Sequence, residues 1–154
     1  MPTVLHALTT RPRAASDAGL LLGRTVIGLV FLAHGLQKVR AGIGATGEGF
    51  EQMGIPAPTV SAVFQATLEV AGGALLVAGA LTSIVGVLLA ASMVGAAFLV
   101  HSDAFYAAEG GWELVGVLAA TSLLLALTGP GRFSVDAMLA RTGQSAQKPP
   151  ATDG

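Results

Sequence analysis

The stretch at residues 60–81, VSAVFQATLEVAGGALLVAGAL, decides the fold. It carries a single charged residue, Glu69. An α-helix rises ~1.5 Å per residue, so about 20 apolar residues cross the roughly 30 Å hydrocarbon core of a bilayer. The stretch therefore predicts a transmembrane helix with a carboxylate well inside it.

Glu69 has two interpretations at this depth. A charged side chain inside a membrane span is costly, and by default it indicates a functional site. The structural alternative is a carboxylate that faces a neighbouring helix and only holds the bundle together. Gln65 and Gly72 or Gly73 fall on the same side at helical spacing, so Glu69 borders a groove that a partner helix or a ligand can approach closely.

The composition supports a membrane protein and excludes several classes of function. The chain has 154 residues, of which 53% are hydrophobic and 11% charged, whereas soluble domains average about 25% charged residues. The formal charge of −1 gives no basis for a nucleic-acid partner. The sequence has no zinc-finger, Walker or GxGxxG motif, and the absence of cysteine excludes disulfides and iron–sulfur ligation within the chain.

Three further apolar segments predict three more spans, at residues 18–38, 84–100 and 112–127. Together the four segments predict an all-α fold, an integral membrane four-helix bundle. The turn at 81–83 is too short to reach far, so the second and third spans form an antiparallel hairpin.

The chain ends predict its boundaries and its orientation. We expect a basic cytoplasmic arm at residues 1–16, the transmembrane domain at 17–140 and a disordered cytoplasmic tail at 141–154. A cleaved signal peptide is the competing interpretation of the first segment, although Arg24 interrupts the apolar run. The terminal segments hold more Lys and Arg than the opposite loops, so the positive-inside rule predicts both termini in the cytoplasm.

Each predicted span contributes one titratable side chain to the same half of the bundle, the half remote from the termini. We predict these four as catalytic residues: His34, Glu69, His101 and Glu113. Neighbouring polar and small residues are predicted to bind a cofactor: Gln37, Lys38, Gln65, Gly72 and Gly73. Random placement would scatter such groups over both halves, so their convergence predicts a site.

The residue types in this cluster allow three kinds of chemistry. Imidazole and carboxylate suit iron, manganese or zinc, but the Glu-x-x-His pairing of di-iron bundles is missing after both Glu69 and Glu113, so we predict no metal. A quinone head group fits, because quinone carbonyls need donors such as His or Lys and their reduction needs titratable neighbours. A proton or ion pathway is the third alternative.

Several short motifs, in their order and spacing, resemble the DoxX family. They are HGLQK at 34–38, GIPAP at 54–58, ExxGG at 69–73, the His after the third span, GGWE at 110–113 and GPGRFSVD at 129–136. The resemblance covers about residues 18–140 and implies a four-helix protein of the bacterial plasma membrane. The family name derives from similarity to a subunit of a thiosulfate:quinone oxidoreductase, and the resemblance implies partners in membrane oxidoreductase complexes linked to thiol and oxidative stress.

Residues and resemblance together predict a subunit of a quinone-linked membrane oxidoreductase. Its expected partners are the lipid bilayer and soluble redox enzymes or other membrane subunits. Because the chain lacks cysteine, sulfur chemistry of the kind implied by the family would need a partner or an external thiol. Two alternatives remain: a non-catalytic scaffold that anchors soluble redox enzymes, and a small transporter.

Overall fold

The computed structural model describes residues 13–146, with side chains described through Thr142. This part of the chain is helical and contains no strand. The helices are α1 Arg13–Ala41, α2 Ile43–Gln52, α3 Pro58–Ala78, α4 Thr82–Leu99, α5 Glu113–Thr128 and α6 Val135–Ala146, with a short 3-10 turn at Ala107–Glu109. Residues 1–12 of the predicted arm and 147–154 of the predicted tail lie outside the described residues.

The helices form a membrane bundle, which confirms the predicted fold class. α1, α3 and α4 are long and apolar enough to cross a bilayer, and α5 is apolar but has only 16 residues, or about 24 Å. Large apolar side chains cover the outer surface; Phe98 and Leu127 are each about three-quarters exposed. Such a surface suits contact with hydrocarbon.

Glycines bring the spans together as two tight pairs, α1 with α3 and α4 with α5. A Cβ built at Gly28 would lie 2.7 Å from the carbonyl oxygen of Gly73, and one at Gly86 would lie 2.7 Å from that of Ser122. Backbones that touch in this way leave no room for a side chain. The glycines therefore set the spacing of the helices around the core.

Arg24 is a buried structural residue at the end of the bundle where both described termini lie. Its side chain is 1% exposed. Nη1 donates to the carbonyl oxygens of Leu76 (3.3 Å) and Val77 (3.0 Å), and Nη2 donates to that of Phe133. The last carbonyls of a helix lack partners within it, so Arg24 caps α3 and ties it to the segment before α6.

Asp136 at the start of α6 makes the complementary cap. Its carboxylate accepts hydrogen bonds from the N–H groups of Leu81 (2.8 Å) and Thr82 (3.0 Å), which begin α4. Its own N–H donates to the carbonyl oxygen of Gly79. Arg24 and Asp136 thus fasten the α3–α4 turn from both sides. α6 then continues through residues 141–146, the first residues of the segment predicted to be a disordered tail.

Candidate functional site

A cavity of about 430 Å³ lies in the half of the bundle remote from the described termini. The helices α1, α3, α4 and α5 all contribute to its wall. Most of the wall is apolar, including Phe31, Phe50, Phe64, Met93 and Leu118. Its volume falls within the range of roughly 300–1,000 Å³ that is usual for small-molecule sites.

Four hydrogen-bonded side chains cross one wall of the cavity, and we call them the polar row: Lys38, Glu69, Gln65 and Ser92. Lys38 Nζ lies 2.6 Å from Glu69 Oε2. Gln65 Nε2 donates to Glu69 Oε1 at 2.9 Å, and Ser92 Oγ donates to Gln65 Oε1 at 2.7 Å. Both oxygens of Glu69 accept hydrogen bonds, as in an ionised carboxylate.

The sequence explains locally how the polar row assembles. Gln65 and Glu69 are four residues apart on α3 and therefore share a face. A Cβ built at Gly35 would lie 2.8 Å from the N atom of Val70 and 2.9 Å from Glu69 Cβ. Gly35 thus lets α1 touch α3 beside the carboxylate. Lys38, three residues further along α1, then reaches Glu69.

The ion pair accounts for a carboxylate inside a membrane span. The side chain of Glu69 is 5% exposed and that of Lys38 is 24% exposed. Removing both charges from water is costly, and the cost is offset only where the geometry is good and the remaining hydrogen-bonding atoms are satisfied. The short Lys38–Glu69 contact provides the good geometry, and the amide of Gln65 satisfies the second carboxylate oxygen. The ion pair is therefore tolerated inside the span while both charged side chains are present.

Two histidines join the polar row at the cavity. His34, on α1 one turn before Lys38, and His101, just after α4, both line it. Nδ1 of His101 lies 2.6 Å from the carbonyl oxygen of Gly110. Since a carbonyl only accepts, Nδ1 carries the proton, and the Nε2 of a neutral His101 remains a proton acceptor. Three of the four predicted catalytic residues, His34, Glu69 and His101, thus line the same cavity.

Other predicted site residues lie apart from the cavity wall. Glu113 Oε1 accepts the N–H of Ala107 at 2.9 Å and closes the connection between α4 and α5. Gln37 is exposed. Gly72 packs against a side chain of α4, and Gly73 packs against the backbone of α1. Both glycines thus serve helix packing in this structure.

Ser92 and Gly35 belong to the site although the sequence analysis did not select them. Ser92 is an isolated hydroxyl in an apolar stretch, a type that is common in helix interfaces and thus gave little signal. Gly35 follows Gly28 by seven residues, which places both on one face of α1. That spacing was the available signal for the close contact of α1 with α3.

Within residues 13–142, no three His, Asp or Glu side chains come together as a group that could hold a metal ion. The site that the described residues form is a cavity with apolar walls, one ion pair and two imidazoles.

The fold and the cavity define the class of this protein. It is an all-helical membrane bundle with a polar site inside one half. The chain belongs to the DoxX family, whose sequence profile matches residues 19–102. It is 36% identical over 151 residues to "Uncharacterized membrane protein Rv3486" of Mycobacterium tuberculosis, covering 91% of this chain and 88% of that protein. No solved structure matches the chain significantly.

Two further relatives bear on location and class. The chain is 37% identical to "Putative oxidoreductase CatD" of Bacillus subtilis, covering 78% of this chain and 86% of that protein. It is 33% identical to "Inner membrane protein YqjF" of Escherichia coli, covering 80% and 93%. These names and the apolar helices support a multi-pass protein of the plasma membrane.

Proposed function

We propose that this protein is the quinone-binding subunit of a membrane oxidoreductase and that the cavity holds the quinone head group. The observation that carries the proposal is the polar row on one wall of an otherwise apolar cavity. A quinone ring needs flat apolar walls and a few hydrogen-bond donors aimed at its carbonyls, and buried sites of this kind combine both features. The residues present fit that requirement.

The donors have distinct roles in this proposal. The ammonium of Lys38 has three N–H groups, of which one bonds Glu69, so others remain for a quinone carbonyl. His34, which also lines the cavity, supplies a second donor. Phe31 and Met93 cover the ring faces. Glu69 holds the ammonium of Lys38 at the wall of the cavity.

Reduction of a quinone to a quinol takes up electrons and protons. Lys38 and His101 are the groups beside the cavity that can hold or pass a proton in this proposal. Since the chain has no cysteine, the electrons come from a partner oxidoreductase rather than from a thiol of this chain. The relative named as an oxidoreductase supports that class of reaction.

The proposed orientation has both termini in the cytoplasm and the cavity in the outer half of the membrane. The basis is the excess of Lys and Arg in the terminal segments under the positive-inside rule. In this orientation Lys38 and His101 exchange protons with the outer side of the membrane.

Purification in mild detergent followed by mass spectrometry of retained small molecules tests the proposal. We expect quinone to co-purify with the wild type. The double variant Lys38→Met/Glu69→Gln keeps the apolar walls but removes both charges, so we expect its retained quinone to fall. The opposite result would be a wild type that retains no quinone but retains as much partner protein as the double variant does. That result would contradict the proposal and favour the non-catalytic scaffold.

A further inference from the structure

The end of the cavity that faces the aqueous side is covered by two segments. Phe50 of α2 and Ile55 after it contribute from one segment. Ala107 and Gly111, in the connection between α4 and α5, contribute from the other. The connection is held in place by the bonds of His101 to Gly110 and of Glu113 to the N–H of Ala107. These two segments therefore lie between a ligand in the cavity and the bulk water on that side.

The wall between α3 and α4 has a gap instead. The bond from Ser92 to Gln65 fixes the register of these two antiparallel helices. One turn further toward the covered end, Gly95 of α4 comes level with Ser61 of α3, and both line the cavity. A Cβ built at Gly95 would meet nothing within 4 Å. Because Gly95 and Ser61 are both small, the space between α3 and α4 is empty at this level.

The rim of the gap is apolar and reaches the outer surface. Phe64 of α3 is 59% exposed and Leu99 of α4 is 57% exposed, yet both line the cavity. The cavity is partly open to the outside rather than enclosed, and these two side chains lie both on its wall and on the surface of the bundle. Both residues lie in helices that cross the bilayer, so the opening meets hydrocarbon.

We propose that this gap is a lateral portal, through which the cavity is filled from the bilayer, and that its ligand is an amphiphile whose apolar tail stays in the portal. The proposal rests on the proposed function and makes it more specific: the ligand is a quinone with an isoprenoid tail. The head group lies at the polar row, and the tail passes Gly95 between Phe64 and Leu99. An apolar tail in that position remains out of water throughout entry and binding.

A substitution at Gly95 tests the portal with little risk to folding. Gly95→Leu places a side chain in the empty space, and replacing a helix-interior glycine favours the helix. Gly19→Leu is the matched control, since a Cβ there also meets nothing within 4 Å but Gly19 lies on α1 away from the cavity. Each protein is reconstituted in nanodiscs, and its affinity is measured for a tail-less naphthoquinone and for the same ring with an isoprenoid tail, both as mole fractions in the lipid.

We expect the wild type and Gly19→Leu to bind the two quinones with similar affinity, because an open portal accommodates the tail. Gly95→Leu should bind the tailed quinone about tenfold more weakly, since the new side chain occupies the path of the tail, and should still bind the tail-less ring. Wild-type binding of the tail-less ring alone, or unchanged binding of the tailed quinone by Gly95→Leu, would overturn the portal only. Failure of the wild type to bind either quinone would overturn the proposed function and the portal together.

Discussion

The pairing of Lys38 with Glu69 decides how a carboxylate is tolerated within α3. Glu69 accepts from an ammonium on one oxygen and from the amide of Gln65 on the other. An unpaired charge in such a place would be destabilising. The pair therefore has a structural role whether or not a ligand is bound, and the functional and structural interpretations of Glu69 are compatible.

Removing Lys38 alone should destabilise the protein more than removing both charges. Lys38→Met leaves the nearly buried carboxylate of Glu69 without its cation, and we expect a loss of about 3–5 kcal/mol in the free energy of unfolding. In Lys38→Met/Glu69→Gln the row is neutral, and we expect most of that loss to be recovered. The free energies of unfolding in detergent of these two variants and of Glu69→Gln give the interaction energy between Lys38 and Glu69. If the effects of the two single substitutions simply add up in the double variant, the pairing is contradicted.

At the scale of the helix, two glycines in similar apolar surroundings in the sequence of α1 have different roles. Gly28 lies against the backbone of α3, whereas a Cβ at Gly23 of the same helix would meet nothing within 4 Å. The sequence shows both as glycines in an apolar span, and only the position of the neighbouring helix separates them.

Alanine substitution separates these two glycines experimentally. Gly28→Ala forces α1 and α3 apart, and overpacking of this kind costs about 1–3 kcal/mol. Gly23→Ala should be neutral or stabilising by up to about 1 kcal/mol, since alanine is the better helix former. Thermal unfolding in detergent compares the two; equal stability would contradict the close contact of α1 with α3.

Asp136 makes the cap of α4 dependent on pH. Partial burial raises the pKa of its carboxyl, but the hydrogen bonds from the N–H groups of Thr82 and Leu81, together with the charge of Arg24, lower it more. The net pKa of Asp136 lies below its ordinary value. A depressed pKa means that the folded state favours the carboxylate, so this stabilisation is present above the unfolded-state pKa and is lost as pH falls through the folded-state pKa.

Asp136→Asn tests this cap. We expect the variant to be less stable than the wild type at neutral pH by about 1 kcal/mol. The difference should shrink as pH falls below about 4, because the carboxyl then takes up a proton in the unfolded state, and it should vanish once pH falls below the lower pKa of the folded state. Asp103→Asn, in an exposed loop, is the control and should show no such trend. A difference for Asp136→Asn that stays constant down to pH 3 would rule out the charge as its cause.

At the scale of the whole molecule, hydropathy predicts the bundle because a span needs only length and apolar composition. The site was harder to predict, since contacts between helices depend on their rotation and register. Glu69, Lys38, Gln65 and the two histidines were selected because they are polar residues in or beside apolar spans. Glu113 was selected in the same way, but its helix begins within the closing connection and directs its carboxylate to a backbone N–H.

The orientation of the whole bundle is open to a direct test. Both described termini lie at one end of the bundle and the cavity at the other, so reporter fusions after Met53 and after Gly143 should report opposite sides of the membrane. We expect the fusion after Gly143 to be cytoplasmic, from the excess of basic residues in the terminal segments. Reporters on the same side would contradict the arrangement of the four spans.

The measurement that tests the central claim most directly is saturable quinone binding to the purified protein in nanodiscs. Trp112, the single tryptophan of the chain, follows Gly111 of the cavity wall and provides the fluorescence signal. We compare the wild type with Glu69→Gln, and use Glu48→Gln as the control with the same substitution, because Glu48 is exposed on α2 and does not line the cavity. We expect the wild type and Glu48→Gln to bind alike, while Glu69→Gln folds but binds about tenfold more weakly, because a charge-assisted contact that positions Lys38 is lost. Equal binding by Glu69→Gln and the wild type would contradict the account.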